Sequence, residues 1–352
     1  MRLLVLTFVI LCFGPVGGQE RYAVIIQEIM PDPSPAVGLP SPEWIEIRNR
    51  GNATVNLQGW RIHDTNGSSG VMPARILEPD SILIICGISG LPLLSAYGPA
   101  IAVTSFPSLD NEGELLSLTD ASGNVIHAVH YDPGWHTNAL KRDGGWSLEM
   151  IDSRFACSMK GNWVSSIHPA GGTPGRTNSV SGEIQSPDLP LASRLYTPDS
   201  VTLRILFTGP VDSLQATAVA GYHIEGLPIL GAIPVGPLFD QVQLDLGGAI
   251  LPAVVYRLNI NGQVSCDGRV TEPAVLRFGL PSDPPPGSLL INEVLFNPVS
   301  SGYDYVELLN TGPSLIDPSR YRIGNRNSQG EMDNLVPLSP RPGLWFPGDY
   351  YV

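Results

Sequence analysis

Glu28 and Glu46 are the obvious paired carboxylates of this sequence, each set inside an apolar strand-like run. A glycosidase needs two such groups facing each other across a cleft. The pair returns at Glu293 and Glu307, and recurrence inside apolar strands fits a sheet-holding role better than a cleft. Half-buried acids need donors, which backbone N–H groups or Arg48 can supply. The only His-rich stretch holds His127, His130, Asp132 and His136. Residues three apart on a strand point to opposite faces, so His127 and His130 cannot share a metal there, whereas His130 and Asp132 can share a face. A site of two or three ligands stands there against the plainer reading, the polar face of a hairpin. Asp64-Thr65-Asn66-Gly67-Ser68 and Asp110-Asn111-Glu112-Gly113-Glu114 are oxygen-rich turns that suit calcium, but neither has EF-hand spacing. Asx turns account for both without a metal.

Nucleophile and phosphate motifs are absent: there is no G-x-S-x-G elbow, no P-loop and no G-x-G-x-x-G. Cys157 has no His at a recognisable spacing, and Cys86 lies in an apolar run where a thiolate is costly. Trp135, Trp146 and Trp163 either line a carbohydrate or peptide surface or fill a core, and core packing is the expectation. No catalytic residue, metal ligand or cofactor is assigned.

The elements that carry these residues read as strands. Val24 to Ile29 stops at Pro31-Asp32-Pro33-Ser34-Pro35, and Trp44 to Asn49 alternates with period two. Ser81 to Ile85 is a continuous apolar run, as a buried strand requires, and Glu114–Thr119 with Val125–Tyr131 around Gly123 reads as a hairpin. No segment sustains a capped helical period, so the expected fold is all-β, built of tandem Ig-like β-sandwiches. Gly171 to Asp188 and Pro281 to Gly287 read as linkers. Between them Val201, Leu203, Ile205 and Phe207, then Val242, Leu244 and Leu246, then Tyr256, Leu258 and Ile260, each mark one face of a strand.

An internal repeat organises the chain. Ile26 to Pro33 aligns with Ile291 to Pro298, Glu43 to Asn49 with Asp304 to Asn310, and Trp60-Arg61-Ile62 with Tyr321-Arg322-Ile323. Matched order across three strands marks a duplicated domain. Phe346 to Val352 aligns with Leu77 to Leu83, so the second copy is expected to hold about half of the domain. These segments, with Val55 to Asp64, Phe106 to Gly113, Gly145 to Glu149, Asn162-Trp163 and Gly171 to Gly175, resemble the bacterial branch of the lamin tail domain family. His127 stands where that pattern usually has Asp, and Gln27 replaces the usual Asn. The middle block resembles the Ig-like domains of bacterial surface proteins, through Phe207 to Asp212, Gly221 to Ile224 and Tyr256 to Ile260. The family resemblance implies Ig-like sandwiches used as binding or assembly modules, with no catalytic residues of their own.

Composition sets the wider frame. Of 352 residues 43% are hydrophobic and only 15% charged, against roughly 25% charged in ordinary soluble domains. The net charge of -13 comes with no Lys/Arg run, which argues against nucleic acid as a partner. Arg2, the apolar Leu3–Phe13 and the small residues Val16-Gly17-Gly18 read as a signal peptide over 1–18, and no later stretch is a membrane span. Its removal takes Cys12 and leaves three cysteines, of which Cys86 and Cys157 are expected to pair and Cys266 to stay free. The domains expected are 20–180 (lamin-tail-like), 188–280 (Ig-like) and 288–352 (lamin-tail-like, truncated). The function expected is a non-enzymatic binding or scaffolding module of a multidomain secreted or cell-surface protein, with an unknown protein or carbohydrate ligand; the alternative is an accessory region of a secreted hydrolase or nuclease whose catalytic domain lies beyond residue 352.

Overall fold

Apolar runs bounded by Pro, Gly and Asn turns become strands throughout the structure, a computed structural model that describes residues 20–157, 159, 161–299 and 302–352. The segment read as a signal peptide lies outside the described residues. The chain divides into two compact units, Met1–Ser186 and Pro187–Val352.

In the first unit the strands are β1 (Val24–Met30), β2 (Trp44–Asn49), β3 (Val55–Asn56), β4 (Arg61–His63), β5 (Ile76–Leu77), β6 (Ile82–Gly87), β7 (Ala100–Val103), β8 (Leu115–Thr119), β9 (Val125–His130), β10 (Leu148–Met150) and β11 (Trp163–Ser165). They form a six-stranded sheet in the order β11-β10-β1-β2-β6-β7, a three-stranded sheet β4-β8-β9 and the short pair β3-β5. One face of the large sheet presents Ile29, Ile45, Ile47, Leu83, Ile85 and Leu148 to Ile62, Leu116, Leu118, Ile126 and Val129, which makes the main core. β1 is buried along its whole length because it has a strand on each side and packing on both faces. The β8–β9 hairpin turns at Gly123 as its sequence indicates.

Two features depart from the sequence reading. β6 and β7 pair in parallel, which forces a crossover, and the crossover contains a one-turn helix α1 (Leu91–Leu94). A second such turn, α2 (Ala139–Arg142), is capped by Asn138. Four residues are too few to print a hydrophobic period, so neither turn is legible in the sequence.

The second unit holds a seven-stranded sandwich: β12 (Ala192–Tyr196), β13 (Thr202–Phe207), β14 (Tyr222–Ile224), β15 (Ile229–Val235), β16 (Gln241–Leu246), β17 (Tyr256–Ile260) and β18 (Ala274–Phe278), in sheets β12-β13-β16-β15 and β14-β17-β18. Leu203, Ile205, Phe207, Val242, Leu244, Leu246, Leu258 and Ile260 fill its core. Val201 precedes β13 and is exposed. The repeat follows as β19 (Leu289–Leu295), β20 (Tyr305–Asn310), β21 (Arg322–Arg326), β22 (Met332–Pro337) and β23 (Tyr350–Tyr351). Its sheet runs β19-β20-β23, so β19 lies at an edge where β1 lies in the middle. Ile291 is 64% and Val294 50% exposed, whereas their counterparts Ile26 and Ile29 are fully buried.

Candidate functional site

The strand register decides what the paired glutamates do. Glu28 on β1 lies opposite Glu46 on β2 and opposite Glu149 on β10, so three carboxyl groups stand side by side across three adjacent strands. A bulge makes this possible: Ile26 faces Ile47 and Glu28 faces Glu46, which leaves Gln27 as the extra residue on β1. Gln27 is thereby turned so that its Nε2 donates to Glu46 Oε1 at 2.8 Å. The repeat has the same bulge at Asn292, whose Nδ2 donates to Glu307 Oε1 at 2.6 Å. Asn and Gln at this position do the same work, which accounts for the exchange between the copies.

Segment 171–180 lies over the row and supplies its donors. Glu28 Oε1 accepts from Ser147 Oγ at 2.6 Å and from the Thr173 backbone N–H at 2.7 Å. Glu46 Oε2 accepts from the Gly175 N–H, and Glu149 Oε2 accepts from Ser179 Oγ at 2.8 Å and the Val180 N–H at 3.1 Å. Asn178 ties the segment down by donating to the carbonyls of Gln27 and Met150. A Cβ on Gly172 would sit 2.9 Å from Glu28 Oε1, and Gly175 takes a positive φ against Tyr97, so the glycines allow the close approach. Arg48, offered by the sequence reading as a donor, instead binds Asp80 at 2.6 Å. Reading Gly171 to Gly175 as the start of a linker is likewise corrected: it is buried cover.

All three glutamates are fully buried, and among the described residues no Lys or Arg pairs with them directly. Burial, then the neighbouring Glu46 and Glu149, pushes the Glu28 carboxyl well above its usual range. Burial likewise pushes Glu46 up to about 8, against the pull of Gln27 and Gly175. The hydrogen bonds around Thr173 suit a row that keeps a proton. Thr173 Oγ1 lies 3.1 Å from Glu28 Oε2 and 2.9 Å from Glu149 Oε1. A hydroxyl has one hydrogen to share between these two carboxyls, so a proton held by Glu28 would complete the contact.

The His-rich stretch is dispersed by the fold. His127 is fully buried and bridges strand β1 to the backbone at Ala156: Nδ1 accepts from the Ile26 N–H at 3.1 Å and Nε2–H donates to the Ala156 carbonyl at 2.9 Å. Burial holds it neutral, its pKa lowered to about 4. His130 is exposed, and Asp132 accepts from the Gly134 N–H to cap the turn Pro133–Trp135. His136 Nδ1 lies 3.0 Å from Ser165 Oγ. Among the described residues no group of three His, Cys, Asp or Glu is placed to hold a metal ion. The acidic turns are closed by their own backbone, Asp64 Oδ1 accepting from the Asn66 and Gly67 N–H groups and Asp110 Oδ1 from that of Glu112. Trp163 is buried and stacks on the half-buried Trp135 at 5.8 Å, while Trp146 stays half-buried beneath the Lys141 ammonium.

The expected Cys86–Cys157 bridge is overturned because Cys86 is a free thiol, and Cys266, expected to stay free, is in a disulfide, as Cys157 is. Cys86 points from β6 into Met30, Leu39, Trp44, Ile84 and Leu94, with Sγ 3.7 Å from the Ile101 carbonyl. Burial pushes that thiol up to about 11. Iodoacetamide should therefore label Cys86 only after denaturation, because alkylation needs an accessible thiolate. Rapid labelling of the native protein, read by peptide mass spectrometry, would contradict this placement.

Glu149, Ser147, Thr173, Gly175 and Ser179 are the residues of the row that sequence reasoning did not assign. One signal for them was present: Leu148-Glu149-Met150 repeats the apolar–Glu–apolar pattern of Ile45-Glu46-Ile47.

Residues 19–133 match the family model of the Lamin Tail Domain. That bears out the resemblance read in the first copy and ends before β10, β11 and the covering segment. No curated protein matches the chain. Among solved structures, the N-terminal part of the bacterial S-layer protein SbsC is 19% identical with a TM-score of 0.25, over 41% of this chain and 32% of that one. The S-layer protein rSbsC(31-844) is 18% identical with a TM-score of 0.25, over 41% and 19%. Domains 1–6 of surface layer protein SbsC are 19% identical with a TM-score of 0.22, over 39% and 17%. The chain thus spans a third or less of the length of these proteins.

Proposed function

We propose that this chain is an exported, non-catalytic binding or scaffolding module of a multidomain cell-surface or secreted protein. Its domains, on this reading, are 20–180, 188–280 and 288–352 behind a signal peptide at 1–18. One observation carries the proposal: the side chains suited to chemistry are spent on holding the fold. Glu28, Glu46 and Glu149 lie under segment 171–180, His127 bridges backbone, and Asp64, Asp110 and Asp132 close their own turns. A hydrolase needs its carboxylates open to substrate, and this row is sealed. Recognition then falls to loops and strand edges, the places where β-sandwiches bind. A surface protein or carbohydrate is the ligand class that suits an acidic chain of net charge -13 with no basic run.

Export is the part most easily tested. Expressed from its own start with a C-terminal tag in a secreting bacterial host, the chain should appear outside the cytoplasm with an N-terminus near Gly18. Recovery in the cytoplasm with Met1 intact would sink the proposal.

A further inference from the structure

We propose that the Glu28–Glu46–Glu149 row and segment 171–180 form a proton-held latch, closed while the row keeps its bound proton and loosened when the row loses it. The geometry gives three reasons. The carboxyls are adjacent in register on β10, β1 and β2, so their charges, once present, repel at close range. The Thr173 hydroxyl contacts Glu28 and Glu149 with a single hydrogen, so a proton on the row strengthens the closed arrangement. The segment is held chiefly by bonds to these same oxygens, through Thr173, Gly175, Ser179 and Val180.

Among the described residues no cation forms an ion pair with the row, and Arg48 only partly offsets its charge. Arg48, on the same face of β2, is bound to Asp80. Lys141 donates to the Ser166 carbonyl and lies over the Trp146 ring. Cys86 on β6 is a thiol raised to about 11 and stays neutral over the range considered. On the segment itself, Arg176 faces solvent.

The direction follows from linkage. A carboxyl raised in the closed state binds more protons there than in the open, solvated state. Closure is therefore strongest below the ordinary carboxyl range and weakens as pH rises towards about 8, the value for Glu46. With one proton released, the opening constant should rise about tenfold per pH unit across pH 6 to 8 and level off above. The repeat supplies an internal control, since Glu293 is exposed.

The test uses the mature chain and two readouts. Hydrogen exchange, corrected for intrinsic rates, should show the Thr173, Gly175 and Val180 amides losing about 100-fold in protection from pH 6 to pH 8, while the β2 and β6 amides keep theirs. Trypsin should cut after the exposed Arg176 faster at pH 8 than at pH 6.5, beyond its own pH profile on a denatured chain. Glu46→Gln, which carries its own protons, should flatten both responses; Glu293→Gln should leave them unchanged. Protection in the unsubstituted chain that does not vary from pH 6 to pH 8 would overturn the latch even if Glu46→Gln failed to fold. So would an equal loss of protection in a folded Glu46→Gln variant.

Discussion

A chain of residues 20–133 should fail to fold, whereas residues 20–186 should unfold in a single cooperative transition with a β-type circular dichroism spectrum. Residues 19–133 are the part that matches the family model, yet the strand that completes the sheet comes later. Without β10, the outer edge of β1 loses its partner, and a strand buried on both faces is left with unpaired backbone groups. Leu148, Met150 and Trp163 leave the main core, at roughly 1.5–3 kcal/mol for each large apolar side chain. Glu28 loses Ser147 and Thr173, and Glu46 loses Gly175, with about 1–3 kcal/mol for each buried group left unsatisfied. The sum is comparable with the whole stability of a domain, about 5–15 kcal/mol. Thermal melts of the two fragments decide the matter. Cooperative unfolding of 20–133 would mean that β10, β11 and segment 171–180 are appendages.

His127→Ala should be the most damaging single substitution near the bulge, lowering stability by about 2–4 kcal/mol. It leaves the Ile26 N–H and the Ala156 carbonyl without partners and opens a cavity where the ring sat. The pH dependence separates this role from simple packing. The folded His127 pKa is lowered to about 4, below the ordinary value of about 6.5. The native state therefore excludes a proton that the unfolded chain takes up. Its contribution is full above pH 6.5 and is lost as pH falls towards 4. Denaturant titrations should show the gap between unsubstituted and variant chains narrowing by about 2 kcal/mol between pH 7 and pH 4.5. A gap that stays constant would mean that His127 titrates freely and does not bridge the two backbone groups.

The strands were legible because their apolar residues alternate or run together between Pro and Gly stops, as Val24–Met30 and Trp44–Asn49 do. The repeat even pointed to Glu28 and Glu46 as a structural pair. Their third partner was hidden because Glu149 lies far away in sequence, and register between distant strands is set by the whole sheet. Segment 171–180 read as a linker since Gly, Thr and Pro dominate it. The same glycines prove necessary for backbone to pass within bonding distance of a carboxylate. The cysteine pairing failed for a related reason. Proximity in sequence favoured Cys86 with Cys157, but Cys86 belongs to the interior of a sheet face and has no route to a partner. The role of His127 emerges only in three dimensions: its neutral ring accepts from one backbone group and donates to another at once.

The proposed reading is that the Glu28–Glu46–Glu149 row and His127 hold the fold and take no part in turnover. Its most direct test is a screen of the purified mature chain against esterase, glycosidase, nuclease and peptidase substrates, run beside Glu46→Gln and His130→Ala variants checked for fold by circular dichroism. No turnover above buffer should appear in any of the three. Turnover by the unsubstituted chain that disappears in either variant with its fold intact would show that the carboxylate row or the exposed histidine is a catalytic site.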